Sequence, residues 1–277
     1  MTAAERAEIA HNLRQLIELD RGFGVEFALR SPEAPAPARA TPTSAPVARQ
    51  SPSLPAPRPA EPVRVADAPA PPAAEAWVPD PALFALPAAE ALATIVREVA
   101  GCTRCPLRAG CQRTVPGEGH ASPEILFVGE GPGAEEDAQG RPFVGPAGQL
   151  LTKMIEAMGL ARADVHIANV VKCRPPGNRT PEPDEVRACM PFLRAQIATL
   201  KPKVICALGN TPLRALMGDD ALGITRQRGK RLSYQGIPLI PTFHPSYLLR
   251  NAEAKKPCWE DLKAVLAIVG RTPPPRA

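Results

Sequence analysis

The chain has 277 residues, 44% of them hydrophobic and 22% charged, with 36 prolines and a formal net charge of +5 at pH 7. That much proline excludes one uniform globular domain, and with no run of 18 or more apolar residues the sequence holds no candidate membrane-spanning helix. The charge is uneven: residues 80–277 carry a net +6 and residues 1–79 a net −1, so the positive field belongs to the second part and suits a polyanion such as DNA.

Met1 to Asp20 is charged throughout and lacks the basic, apolar and cleavable order of a secretory signal, so a cytoplasmic protein is expected. Seven cysteines in a reducing compartment read first as metal ligands rather than as a disulfide framework. Thr2 and Glu5 form a capping-box pattern, and Ile9, Leu13, Leu16 and Ile17 follow at helical spacing up to Gly22 and Gly24. Residues 1–30 are thus expected to form an amphipathic helical segment, loosely attached through a long linker, with docking on a protein partner or folding back on the core as the alternatives. Residues 31–79 contain 14 prolines among Ala and Ser, with Leu54 the only leucine, and cannot bury enough apolar surface to fold. A disordered linker is expected there, and a single catalytic or binding domain over residues 80–277.

Within that domain a helix from Ala88, with Leu92, Ile95, Val96 and Val99, leads into Cys102. Apolar runs then alternate with helical patterns. The runs are Ile125 to Val128, Val165 to Val171, Val204 to Leu208 and Pro238 to Phe243; the helices carry Leu150 to Met158, Val186 to Leu200, Leu213 to Met217 and Trp259 to Val269. This alternation predicts an α/β fold of three layers, α/β/α, around a four-stranded mostly parallel sheet. Ligands of such sheets bind beyond the carboxyl ends of the strands. Glu130, Asn169 and His244 fall there, after the first, second and fourth runs.

Cys102 and Cys105, spaced as C-x2-C, join Cys173 and Cys189 to give four thiols from three segments. Such a set holds zinc or an iron-sulfur cluster, and spacing does not separate the two. Cys111 competes for a ligand position, and Cys206, inside an apolar strand, reads as an ordinary buried thiol. The turn Gly129-Glu130-Gly131-Pro132-Gly133 resembles a phosphate loop, but no Lys-Ser or Lys-Thr follows it and the carboxylates Glu130, Glu135, Glu136 and Asp137 would repel a phosphate. Carboxylates there suit stabilising a cationic carbon or positioning a water. His244 stands before Pro245 on a loop after an apolar strand, with Ser246 and Arg250 close by, a setting that gives a functional role as strong a claim as a structural one.

Taken together, Gly129-Glu130-Gly131-Pro132-Gly133 with Glu136-Asp137, Gly140-Arg141-Pro142-Phe143-Val144-Gly145, Asn169 to Arg179, His244-Pro245-Ser246 and the four cysteines resemble the family 4, iron-sulfur uracil-DNA glycosylases from about Cys102 to Leu266. The resemblance implies a uracil-DNA glycosylase-like fold, a monomer, and uracil-containing DNA as substrate, with release of uracil opening base excision repair. It implies that Cys102, Cys105, Cys173 and Cys189 hold a [4Fe-4S] cluster of structural role. It gives Phe143 the task of stacking on a flipped base, Asn169 that of reading its edge, and His244 that of stabilising the departing uracil anion at O2. Gly131 and Ser246 would also touch the substrate. Related families place a water-activating Asp and a methyl-excluding Tyr where this chain has Gly131 and Gly133, so the needed carboxylate is Glu130 or Glu136, a choice the sequence leaves open. Leu248 is a candidate wedge or a core residue, and Arg226, Arg228, Lys230 and Arg231 a candidate backbone contact or a solvated turn. Two competing readings are a uracil-DNA binder without turnover and an electron-transfer iron-sulfur protein. The chain lacks the Arg-rich insertion of the first, and the second has no use for the Asn169, Phe143 and His244 set.

Overall fold

A computed structural model describes residues 77–275. The expected N-terminal helix and nearly all of the expected linker lie outside the described residues. Trp77 is packed, its ring stacked on Phe192 at 4.6 Å between centroids, so the folded region begins no later than Trp77.

In chain order, a 3-10 turn at Pro81–Ala85 leads into α1 (Ala88–Ala100) and the single turn α2 (Leu107–Gly110). Next come β1 (Glu118–Gly119), β2 (Ile125–Gly129), α3 (Ala134–Gln139), α4 (Pro146–Ala157), β3 (His166–Asn169) and α5 (Pro183–Leu200). The chain continues through β4 (Val204–Leu208), α6 (Asn210–Met217), α7 (Ile224–Gln227), β5 (Leu232–Tyr234), β6 (Ile237–Thr242), α8 (Pro245–Arg250) and α9 (Lys255–Ile268).

The strands form one sheet in the order β1-β3-β2-β4-β6-β5. Its middle four, β3, β2, β4 and β6, are parallel, as the apolar runs predict, while β1 and β5 pair antiparallel at the two edges. The expected four-stranded sheet is therefore corrected to a six-stranded mixed one. Central strands such as Ile125–Gly129 and Val204–Leu208 are buried at every position, which is why they read as unbroken apolar runs. The edge strands are two and three residues long and half exposed, and carry no such run.

Alternate strand residues point to opposite faces. Leu126, Val128, Ile205 and Ala207 pack with Ile95 and Val99 of α1, Leu193 of α5 and Leu213 of α6. Ile125, Phe127, Val204 and Cys206 pack with Leu151 and Ile155 of α4 and Leu262 and Val265 of α9. The three layers thus follow from two cores, one on each side of the sheet, and the carboxyl ends of β2, β3, β4 and β6 open on the same edge. Among the described residues no helix is long and apolar enough to cross a membrane.

Candidate active site

That edge holds a cleft of about 270 Å³ lined by Glu130, Gly131, Glu136, Phe143, Asn169, His244 and Ser246. Every residue singled out in the sequence as catalytic or substrate-binding is therefore at one place, although 116 positions separate Glu130 from Ser246. Pro175, Asn178 and Arg179, from the loop after β3, also line it.

Asn169 is the last residue of β3 and is 1% exposed. Its Oδ1 is buried with no hydrogen-bond partner among the described residues, which leaves an acceptor at the cleft for which only an incoming donor can compensate. The ring of Phe143 lies beside it. Phe143 sits at φ 51°, a left-handed conformation costly for an aromatic residue, so the surrounding structure must hold it. Glu136 does so from one side, accepting hydrogen bonds at Oε1 from the Val144 and Gly145 amides at 2.8 and 2.9 Å. From the other, Gly148 of α4 brings its backbone so close to the Phe143 main chain that any side chain there would collide.

The two candidate carboxylates are thus not equivalent. Glu136 also accepts from the Gly133 amide at 3.1 Å through Oε2, so both oxygens are bound to backbone. Asp137, 2% exposed, accepts from the Gln112 amide at 3.0 Å and ties the cysteine segment to α3. Glu130 instead faces the cleft and accepts a hydrogen bond from the Thr211 hydroxyl at Oε2. Thr211 was missed in the sequence. Its only signal is position: it opens α6 just past β4, the one central strand whose carboxyl end had supplied no candidate.

His244 caps α8, and its Nδ1 accepts from the Ser246 amide at 3.1 Å and lies 2.7 Å from Ser246 Oγ. An Nδ1 that accepts must be unprotonated, so in the neutral ring the proton is on Nε2. Burial is the main cause that pushes the His244 pKa down to about 4, with Glu136 opposing it and Arg250 adding to it, so the ring is neutral at pH 7. The Phe143 and His244 ring centroids are 5.7 Å apart.

The structure bears on two readings that the sequence leaves open. Leu248 is 2% exposed and belongs to the core, whereas its neighbours Tyr247 and Leu249 are 41% and 52% exposed. Arg228 turns inward from the basic run, pairing with the buried Asp261 at 2.7 Å and lying over the Phe243 ring, while Arg226, Lys230 and Arg231 stay exposed.

On one sheet face α1 packs against α5, bringing Cys102 and Cys105 toward Cys189, while the loop after β3 supplies Cys173. These four line one small pocket with Leu107 and Phe192. Cys111 is not among its lining residues; it is buried against Cys173. Donors reach the sulfurs: the Lys172 amide to Cys189 Sγ at 3.3 Å and Arg104 Nη1 to Cys102 Sγ at 3.5 Å. Burial is the main cause that pushes Cys189 up to about 12, with Lys172 opposing it and Cys105 and Cys102 adding to it; burial and then the neighbouring thiols raise Cys173 as well, a repulsion that a bound cationic centre would relieve. The donor set fits an iron-sulfur centre. Among the described residues no three His, Cys, Asp or Glu side chains close to the spacing of a single metal ion.

The family model for the uracil DNA glycosylase superfamily matches residues 116–263. The chain is 50% identical to a type-4 uracil-DNA glycosylase of Thermotoga maritima over 184 residues, covering 65% of this chain and 96% of that protein. It is 38% identical to the type-4 enzyme of Archaeoglobus fulgidus over 67% of this chain and 96% of that one. A type-5 uracil-DNA glycosylase of Pyrobaculum aerophilum is 30% identical over 56% of this chain and 83% of its own length. The matched span runs from the loop before β1 into α9, taking in all four parallel strands and every cleft residue named above, so the chain belongs to the uracil DNA glycosylase superfamily, in its type-4 branch.

Proposed function

We propose that the protein is a uracil-DNA glycosylase that hydrolyses the N-glycosidic bond of deoxyuridine in DNA, releasing uracil and leaving an abasic site at the start of base excision repair. The observation that carries the site assignment is the buried, unpartnered Asn169 Oδ1 beside the Phe143 ring. A flipped uracil stacked on Phe143 supplies the missing donor through N3–H, while the Asn169 amide group donates to O4; cytosine, with an acceptor at N3 and an amine at C4, mismatches both. Gly131 contributes its backbone to the wall of the cleft and sits so close to Val171 that a side chain there would strike it.

Bond breaking leaves negative charge on uracil and cationic character on the sugar. His244 Nε2–H donates to O2 and stabilises the uracil anion as a neutral donor. Glu130, held by Thr211, faces the sugar cation and orients the water that attacks it; the water's hydroxyl goes to the sugar carbon and its proton leaves to solvent or to uracil. Glu136 acts through the backbone, holding the loop that carries Phe143. Ser246 fixes the His244 tautomer and sits where a phosphate can be gripped. Tyr247 and Leu249, rather than Leu248, are placed to fill the gap left by the extruded base.

Cys102, Cys105, Cys173 and Cys189 would hold a [4Fe-4S] cluster, which supplies a cross-link between the segment before the sheet and the loop and helix after β3. The protein is read as a cytoplasmic monomer, with residues 1–30 available to a protein partner. Release of uracil from labelled U:G, U:A and single-stranded oligonucleotides tests the activity. Stable uracil-DNA complexes without product would instead point to a non-turnover binder.

A further inference from the structure

The pocket of the four cysteines has a cation at its inner wall. Lys172 lines it and is 1% exposed, whereas Arg104 and Arg108, also at the pocket, are half-buried. Lys172 Nζ donates to the main-chain oxygen of Asn169 and to Gln196 Oε1, both at 2.7 Å. Gln196 is itself fixed, donating to Pro116 O at 2.8 Å, so its Oε1 faces the ammonium. Among the described residues no carboxylate bonds Lys172.

A buried ammonium held by two neutral oxygens is poorly compensated unless an anion lies close by. Four thiolates around a [4Fe-4S] core, whose own charge is smaller than theirs, make a net anion at the pocket that Lys172 lines. Lys172 also precedes Cys173 in sequence, and its main-chain amide donates to Cys189. One residue therefore touches the ligand set of the cluster with its backbone and the residue that reads the base with its side chain.

We propose that Lys172 is a positioning residue that couples the cluster to the uracil pocket: its ammonium is the cluster's counter-charge, and one of its N–H bonds holds the Asn169 main chain in place. The proposal rests on the cluster reading above. Its role toward the reaction is indirect, acting through Asn169.

The test compares full-length wild type, Lys172→Gln and Lys172→Met by iron content, by the rate at which ferricyanide bleaches the absorption near 400 nm, and by single-turnover uracil excision. Both neutral variants lose the counter-charge, so each should be oxidised at least about threefold faster than wild type. Lys172→Gln keeps a donor for Asn169 and should excise within about threefold of wild type, whereas Lys172→Met should lose about tenfold or more. Unchanged bleaching in both variants, or unchanged excision in Lys172→Met, overturns the proposal. If Lys172→Met does not fold, Lys172→Gln decides by its bleaching rate alone. Wild type free of iron would instead overturn the cluster reading before any variant is compared.

Discussion

Gly129 and Asn169 are register partners on the neighbouring parallel strands β2 and β3, and the space a side chain on Gly129 would need is taken by Asn169 Oδ1 and by the Phe143 ring, whose Cζ lies 2.5 Å from that position. The glycine lets the reading amide and the stacking ring meet at one point.

A methyl group added there must push both apart. Gly129→Ala is expected to lower single-turnover uracil excision roughly 10- to 100-fold, because small displacements of positioned groups cost that much, with a smaller change in DNA affinity. Rates and affinities measured on the same preparation check this, and an unchanged rate would remove the Gly129, Asn169 and Phe143 contact from the site.

The carboxylates should separate by stability. Glu136→Gln leaves an amide with one acceptor oxygen facing three backbone donors, so melting temperature and rate should fall together, by about 1–3 kcal/mol of stability for the unsatisfied group. Glu130→Gln should cost rate with little change in melting temperature. Thermal denaturation beside single-turnover kinetics distinguishes them; a destabilised Glu130→Gln with Glu136→Gln intact would reverse the assignment.

Much of this was legible in the sequence, for physical reasons that also mark its limits. The parallel strands are buried on both faces and so read as apolar runs, and the strand-end rule gathered Glu130, Asn169 and His244 without coordinates. The edge strands β1 and β5 were illegible because two or three half-exposed residues carry no periodicity. Glu130 and Glu136 were indistinguishable because the difference lies in backbone amides eight and nine residues downstream of Glu136. Leu248 stayed open between wedge and core for a similar reason: only the rotation of α8 decides which leucine faces the core.

Acid should weaken the fold through histidine. His166 is 4% exposed, and burial is the main cause that pushes its pKa down to about 4 from an ordinary value near 6.5. The unfolded chain therefore binds the extra proton first as pH falls, so the share of stability linked to His166 is full above about pH 6.5 and declines down to about pH 4, by about 3 kcal/mol, with His244 contributing in the same sense. Melting curves of wild type and His166→Gln between pH 4 and 8 check this; the variant should lose less stability over that window, and an equal loss would contradict the account.

Cluster removal should act on structure. The purified protein is expected to be brown, and Cys102→Ala or Cys189→Ala to lower iron content and soluble yield together. A colourless, folded preparation made without oxygen and carrying one zinc per chain would contradict this.

The account stands most directly on His244, whose neutral ring is to stabilise the departing uracil through Nε2–H. The single-turnover rate should be flat from about pH 5.5 to 8.5, because a ring with a pKa near 4 does not titrate there. The decisive measurement is the single-turnover excision rate of His244→Ala, with DNA affinity and melting temperature determined on the same sample. The account predicts a rate loss of roughly 10² to 10³, an affinity change below about tenfold and an unchanged melting temperature. A rate loss no larger than the affinity loss, or a clear fall in melting temperature, would contradict it.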